Sequence, residues 1–522
     1  MGSDWRNMIE QDESGDQVPD GALLAALDIG SNSFHVIVAR VEHGEIRPVE
    51  TLSEKVQLAA GMRDDLLDPE AMERGIACLA RFRQLLDRVA PFRVRAVGTN
   101  ALRIAHNRRQ FLHRAGVTLG FPVDVIYGRE EARLIYLGVA HTLADDSQAR
   151  LVVDIGGGST EFIVGQRFEP QRLESLQMGS VAFTNRFFSD GKISAKRYER
   201  AQQEARLEVS HIRHQFHSAH WQDCVGSSGT LQAIEVLLAH HGWSVGGITR
   251  EGLAKLEGAL LRFSRMESIT LEALSEQRRG VILAGVAIAT AIFDELAIAH
   301  LRCSRGALRE GVIYDLLGRL SHEDVRERTA RALMQRYNVD VAMAKITAKR
   351  ARFLYLATRE QWQLKRKDRD LLLWAAQCHE IGMAISHKHY NRHGAYLLRN
   401  ADLPGFSQDE QEQLALLVLC HRRKISLADL HSAPAEDRAW LLRLIVILRL
   451  ATLFKYVELL EQLPDFQATG TEHGLDLRLP RDWLDAHPLS VQALAREQKW
   501  LRGVQFQLRF SGGENGVPDD LS

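Results

Sequence analysis

"LVVDIGGGSTEF", residues 151–162, decides the fold. Leu151 to Val153 have the apolar run of a buried strand, and the strand ends on Asp154. Three glycines, Gly156, Gly157 and Gly158, then free the backbone for a tight turn before a second apolar run starts at Phe162. A strand that carries a carboxylate to the mouth of a bare loop has a chemical use. Consecutive backbone amides there form a concave anion nest, and the hydroxyls of Ser159 and Thr160 add donors. An aspartate repels phosphate directly, so Asp154 makes sense if Mg²⁺ stands between them, because a hard cation takes carboxylate, water and phosphate oxygen together. For one such hairpin, a plain Asp-capped turn explains the sequence as well.

The pattern is not single. "AALDIGSNSFHV", residues 25–36, repeats D-I-G-x-x-S when Asp28 is aligned with Asp154. Its loop is Gly30, Ser31, Asn32 and Ser33. Each copy opens an alternation of strands and helices, so two related α/β lobes are expected to face one another across a cleft. A third loop, "GSSGT" at 226–230, offers Gly229 and Thr230 as further phosphate contacts, although its composition is common in turns.

Around these hairpins, "DPEAMERGIACLARFRQLLDRV" and "REEARLIYLGVAHTL" have helical spacing, and "VRAVGT" and "VDVIYG" read as strands. After about residue 320 the strand signals stop and amphipathic or buried helices follow. The last 55 or so residues return to mixed character. The expected organisation is therefore a disordered, acid-rich tail over 1–21, lobes at 22–138 and 139–318, an all-α third domain at 319–464 and a small α+β domain at 465–522.

Composition removes several classes. A formal net charge of −1 supplies no global positive field, so nucleic acid is not an expected partner. The five cysteines are scattered without a C-x-x-C pair, which fits a reducing cytoplasm and no zinc knuckle. "VILAGVAIATAIF", residues 281–293, is too short for a bilayer span and runs into Asp294 and Glu295, so it reads as a buried core helix.

Taken in order, "DIGSNSFH", "VGTNALRIAHN", "GREEARLIYLGV", "DIGGGSTEF", "GSSGT" and "GALREGV" resemble the exopolyphosphatase and guanosine pentaphosphate phosphatase family, over about residues 24–320. The four-domain length is most like the long exopolyphosphatase. The resemblance implies two actin-like (ribonuclease H-like) lobes and an HD-domain-like helical third domain. It also implies Mg²⁺-dependent, processive removal of the terminal phosphate of inorganic polyphosphate. It places the base on Glu131, the metal and activated water at Asp154, Asp28 and Glu161, and Arg103 against phosphate. It further implies a cytoplasmic homodimer, with peripheral association at the inner membrane face.

The residues leave alternatives beside these roles. Glu130 and Glu131 suit the first turn of a helix, where acids oppose the positive dipole end. Arg309 is as well suited to an acid partner as to substrate, and Lys192 to a solvated loop. The histidines His379, His387, His389, His393 and His421 resemble the HD-domain phosphohydrolase pattern. However, the adjacent pair is His379–Glu380 and the late ligand position holds Thr452, so a metal-free scaffold is expected there. The rival functions are a guanosine pentaphosphate (pppGpp) 5′-phosphohydrolase and, in another class, an actin-like nucleotide-binding or alarmone-sensing protein.

Overall fold

The repeat in the sequence is a repeat of sheet order. In the computed structural model, which describes residues 18–42, 45–143, 148–320, 324–454 and 467–513, five strands form the first sheet. These are β1 (Leu23–Ile29), β2 (Ser33–Glu42) and β3 (Glu45–Lys55), and, after a small separate hairpin of β4 (Met62–Arg63) and β5 (Leu66–Leu67), β6 (Val94–Gly98) and β7 (Val123–Val125). Their order is β3-β2-β1-β6-β7, antiparallel as far as β1 and parallel beyond it.

The second sheet contains β8 (Ala149–Ile155), β9 (Thr160–Gln166), β10 (Glu169–Leu176), β11 (Asp223–Gly226), β12 (Ile248–Thr249) and β13 (His300–Cys303). Its order, β10-β9-β8-β11-β13-β12, reproduces the first plan and adds one antiparallel edge strand. This twofold plan matches the two related α/β lobes that the repeated hairpin implied. The register places Asp28 opposite His35 in one hairpin and Asp154 opposite Glu161 in the other.

β1 and β8 share one burial pattern, with their aspartates the less buried positions near the end. Such continuous apolar runs suit strands covered on both faces. The helices Gly128–Ala140 and Leu308–Leu320 form part of a core that joins the sheets: Leu24 and Ile37 of the first meet Ala132, Leu134, Val312 and then Val152, Ile163 and Val225 of the second. The two helices touch backbone to backbone, since a Cβ on Gly311 would sit 1.8 Å from the Leu134 carbonyl oxygen. The apolar run at 281–293 forms the N-cap, Val281, and most of the core helix Ile282–Leu296, as expected. Among the described residues no helix is long and apolar enough to cross a membrane.

Glu130 stands in the first turn of the Gly128–Ala140 helix, as the sequence suggests. It is buried there, and both its oxygens accept from Arg133 at 2.8 Å. Arg133 also pairs with Asp315, which in turn holds Arg95 and Arg319. Three guanidinium groups around Asp315 hold its carboxyl far below the usual range, burial notwithstanding. This network pins the back of the Gly128–Ala140 helix, so that the next residue, Glu131, faces the other way.

The described residues form two compact units, one up to 324 and one from 325. In the second, helices from Val325 to Leu453 are followed by β14 (Gln467–Thr471), β15 (Gly474–Pro480), the helix Pro488–Arg502 and β16 (Gln507–Gly513). One core serves both parts: Leu444 and Ile447 belong to the same cluster as Leu475, Leu477 and Leu508. Of the tail expected over residues 1–21, residues 1–17 lie outside the described residues, as does the expected boundary at 465.

Candidate active site

Both glycine-rich loops open into one cleft of about 240 Å³ in the first unit. Gly30, Ser31, Asn32 and Ser33 line it from the first lobe; Gly156, Gly157, Gly158 and Ser159 line it from the second, joined by Gly229 and Thr230 of the third loop. Asp28, Asp154 and Glu131 reach the same space.

The loops are built alike. In the first, the carbonyl of Asn32 accepts from the amides of Val56 and Gln57 at 3.0 and 2.8 Å, and that of Ser31 from Ala59 at 2.9 Å. In the second, the carbonyl of Gly156 accepts from Ser180 at 2.9 Å, and that of Gly157 from Val181 and Ala182 at 2.9 and 3.1 Å. With these acceptors tied back, each loop offers the cleft amide and hydroxyl donors, as an anion nest requires. The third loop leads into the helix Gly229–His240, whose N-terminus is capped by Ser228 Oγ accepting from the Leu231 amide at 3.1 Å. A helix N-terminus aimed at a cleft favours anions.

Facing these donors is a group of carboxylates. Burial raises Asp28 well above its ordinary value, and Glu131 and Asp154 add to it. Asp154 is pushed up to about 6, chiefly by burial, although the Ser227 hydroxyl donates to it. Burial likewise raises Glu161 well above the usual range, with repulsion from Glu131 and Asp154 contributing. Burial raises Glu131 too, against the pull of Arg103, whose Nη1 donates to Glu131 Oε2 at 3.0 Å and to the Ile126 carbonyl at 2.9 Å. Four buried acids, with Glu131 raising the proton affinity of the other three, are a cost to the fold unless a cation joins them.

The donor set fits a hydrated hard cation. Asp28 Oδ1 is buried without a hydrogen-bond partner. Among the described residues no three His, Cys, Asp or Glu groups converge to hold an ion alone. Mg²⁺ typically takes one or two carboxylates and completes its shell with water and substrate phosphate. Asp28 and Asp154 line the cleft and could supply such an ion with its carboxylate oxygens.

Three of the sequence candidates stand behind the cleft surface. Thr160 is fully buried and its hydroxyl donates to the Met178 carbonyl, so it is not a cleft donor. Its side chain lies on the strand rather than the turn, which the motif alone did not show. Glu161 is 1% exposed and accepts from Ser175 Oγ at 2.8 Å. Arg103 meets the site through Glu131, and its Nη2 is buried without a partner.

Sequence reading missed Arg278 and Arg305, which bring positive charge to the cleft beside Arg309, the residue it left between substrate and an acid partner. Arg309 is shared between Glu310, at 2.7 Å, and His35 Nδ1, at 3.4 Å. Burial and the two nearby arginines push His35 down to about 4, so it is neutral at physiological pH. Arg278 gave no local signal, because "SEQRRG" reads as an exposed basic run; tertiary packing puts it against Gly229, where a Cβ would lie 2.0 Å from its Nη2. Lys192 lies outside the cleft, exposed and 3.9 Å from Asp190.

Two of the candidate histidines in the second unit are buried. His379 and His421 each stand at a helix C-terminus, with Nδ1 2.8 Å from the Ala376 carbonyl and 2.6 Å from the Val418 carbonyl. Burial lowers both. Thr452 Oγ1 donates to the Arg449 carbonyl at 2.9 Å.

Comparison with known proteins agrees with this geometry. The model of the Ppx/GppA phosphatase family matches residues 36–320, and that of Ppx/GppA phosphatase domain III matches 325–498. An exopolyphosphatase from Cytophaga hutchinsonii is 23% identical, with a TM-score of 0.52 over 56% of this chain and 97% of that one. An exopolyphosphatase-like protein is also 23% identical, with a TM-score of 0.54 over 58% and 99%. These two share the fold. A Ppx/GppA member from Aquifex aeolicus is 27% identical over 57% of this chain and 98% of its own, with a TM-score of 0.49.

Proposed function

The chain belongs to the Ppx/GppA phosphatase family, and from that premise we propose that it is a Mg²⁺-dependent exopolyphosphatase. Polyphosphate of n units and one water would give n − 1 units and orthophosphate. The observation that carries the reading is that Glu131, Asp28 and Asp154 open into the same cleft as all three donor loops.

Phosphoryl transfer to water asks little covalent work of a protein; it needs alignment, neutralised charge and a base for the water. The loops at Gly30–Ser33 and Gly156–Ser159 cradle terminal phosphates through amides and hydroxyls. Arg278, Arg305 and Arg309 draw the polyanion in. Glu131 takes the proton of the attacking water, and Arg103, hydrogen-bonded to it, keeps its carboxylate oriented and favours the ionised form. Glu161, held by Ser175, stands opposite Asp154 in the strand pairing and backs that side of the cleft. Bound Mg²⁺ would supply neutralisation of the phosphate and carboxylate charge that meet in the cleft.

One observation favours a second reading. Ile135, Ala307 and Leu308 give the cleft an apolar wall, which suits a nucleoside better than a bare phosphate chain. The cleft would then take the 5′-terminal phosphate of pppGpp. Orthophosphate release is to be compared between long-chain polyphosphate and pppGpp, with and without Mg²⁺. Faster metal-dependent release from polyphosphate is expected. Faster release from pppGpp would transfer the assignment to the second reading, and nucleotide-dependent assembly without phosphate release would overturn both.

A further inference from the structure

The two phosphate loops nearly touch: a Cβ on Gly157 would lie 3.2 Å from Ser31 Cβ. Beside this contact stands Asn100, which lines the cleft yet is only 5% exposed. The amide that follows it, Ala101 N–H, donates to Ser31 Oγ of the first loop at 3.2 Å. Its own Nδ2 crosses to the second lobe and donates to Gln177 Oε1 at 2.9 Å. Its carbonyl end packs directly on the second loop. A Cβ on Gly158 would meet Asn100 Oδ1 at 2.1 Å, Cγ at 2.7 Å and Cβ at 3.2 Å. Gln177 lies just before the Ser180–Ala182 amides that tie back the second loop's carbonyls.

Three contacts from two adjacent residues thus join the first loop, the second loop and the segment that backs the second loop. The side-chain requirements are narrow. Leucine would have no donor for Gln177, aspartate would add another acid beside the three that line the cleft, and alanine would leave the space beside Gly158 unfilled. The missing side chain at Gly158 and the amide at Asn100 are two halves of one fit.

We propose that Asn100 is a positioning residue, a strut that sets the distance between the two phosphate loops and so between Asp28 and Asp154. This rests on the reading of the cleft as the site of phosphoanhydride hydrolysis. Asn100 acts through the loops and carries no proton in the reaction. Small displacements of a positioned group are costly to rate, on the order of 10²-fold for about 1 Å.

The test is a double-mutant cycle in the full chain with Asn100→Ala, Gly158→Ala and both together, read as kcat, KM and the Mg²⁺ concentration giving half-maximal rate. Gly158→Ala alone is expected to lower kcat by at least ~10-fold, because its new methyl meets the amide. Asn100→Ala is expected to lower kcat and raise the Mg²⁺ requirement, since the aspartates drift apart. In the double variant the methyl faces only Asn100 Cβ, so the two losses should fail to multiply. Losses that multiply, or an unchanged Mg²⁺ requirement in Asn100→Ala, would overturn the strut. If the parent chain released no orthophosphate from either substrate, the reading of the cleft would fail instead. The same cycle scored by melting temperature would then still decide the strut, with additive shifts counting against it.

Discussion

Replacing Glu131 by glutamine keeps the shape of the proposed base and removes its charge. Two opposed terms set the effect on stability. Glu131 Oε2 accepts a charge-assisted hydrogen bond from Arg103 at 3.0 Å, and a neutral amide oxygen in its place would weaken that bond by about 1–2 kcal/mol. Against this, burial penalises the ionised carboxylate itself, and that charge raises the proton affinity of Asp28, Asp154 and Glu161. Removing it relieves repulsion in a site where all four acids are raised. The terms are of similar size, so Glu131→Gln should melt within a few degrees of the parent and hold polyphosphate as well. Turnover should fall by ~10²-fold or more, the usual contribution of a general base. That corresponds to at least about 2.7 kcal/mol on the barrier. The assay is orthophosphate release as a function of pH, with equilibrium polyphosphate binding and thermal melts run in parallel. In the parent the rate should climb as pH rises through the raised Glu131 pKa, and in the variant that limb should vanish. A rate within threefold of the parent, with the acid limb intact, would refute the assignment.

Asp154→Asn should raise the Mg²⁺ concentration needed for half-maximal rate, and an unchanged requirement would move the ion elsewhere. Metal-free protein should show an inverted pH dependence. Asp154 is raised in the fold from 3.8 to about 6, so the native state binds more protons than the unfolded chain across that window, and stability is lost as pH rises through it. The loss from this group is about 3 kcal/mol. Urea unfolding of the metal-free chain at pH 4 and pH 7 checks it, and greater stability at pH 7, with Asp154→Asn showing the same trend as the parent, would contradict it. Asp315→Ala should cost ~3–5 kcal/mol, because it removes the buried carboxylate that Arg95, Arg133 and Arg319 share. A loss below about 1 kcal/mol in urea melts would show that the network does not hold the Glu131 helix.

Particular residues show where the sequence was enough. The repeated D-I-G-x-x-S hairpin, with apolar strands before and after it, specified two α/β units and the placing of Asp28 and Asp154 at strand ends, because strand, turn and next strand are local in the chain. The three glycine-rich loops were legible for the same reason. Composition and periodicity also placed the helix at Ile282–Leu296 and the change to helices beyond Val325.

The tertiary structure alone decided which charges share a space. Glu130 and Glu131 are neighbours in sequence, yet one faces a buried network closed by Asp315 and the other a cleft shared with Asp154. Arg278 and Asn100 looked ordinary until Gly229 and Gly158 were packed against them. Thr160 looked like a phosphate donor until its hydroxyl was seen to serve Met178. Turn chemistry depends on a few adjacent residues, so it can be read along the chain. Burial, and the shift in proton affinity it causes, depends on atoms brought in from distant segments, and no local pattern records them.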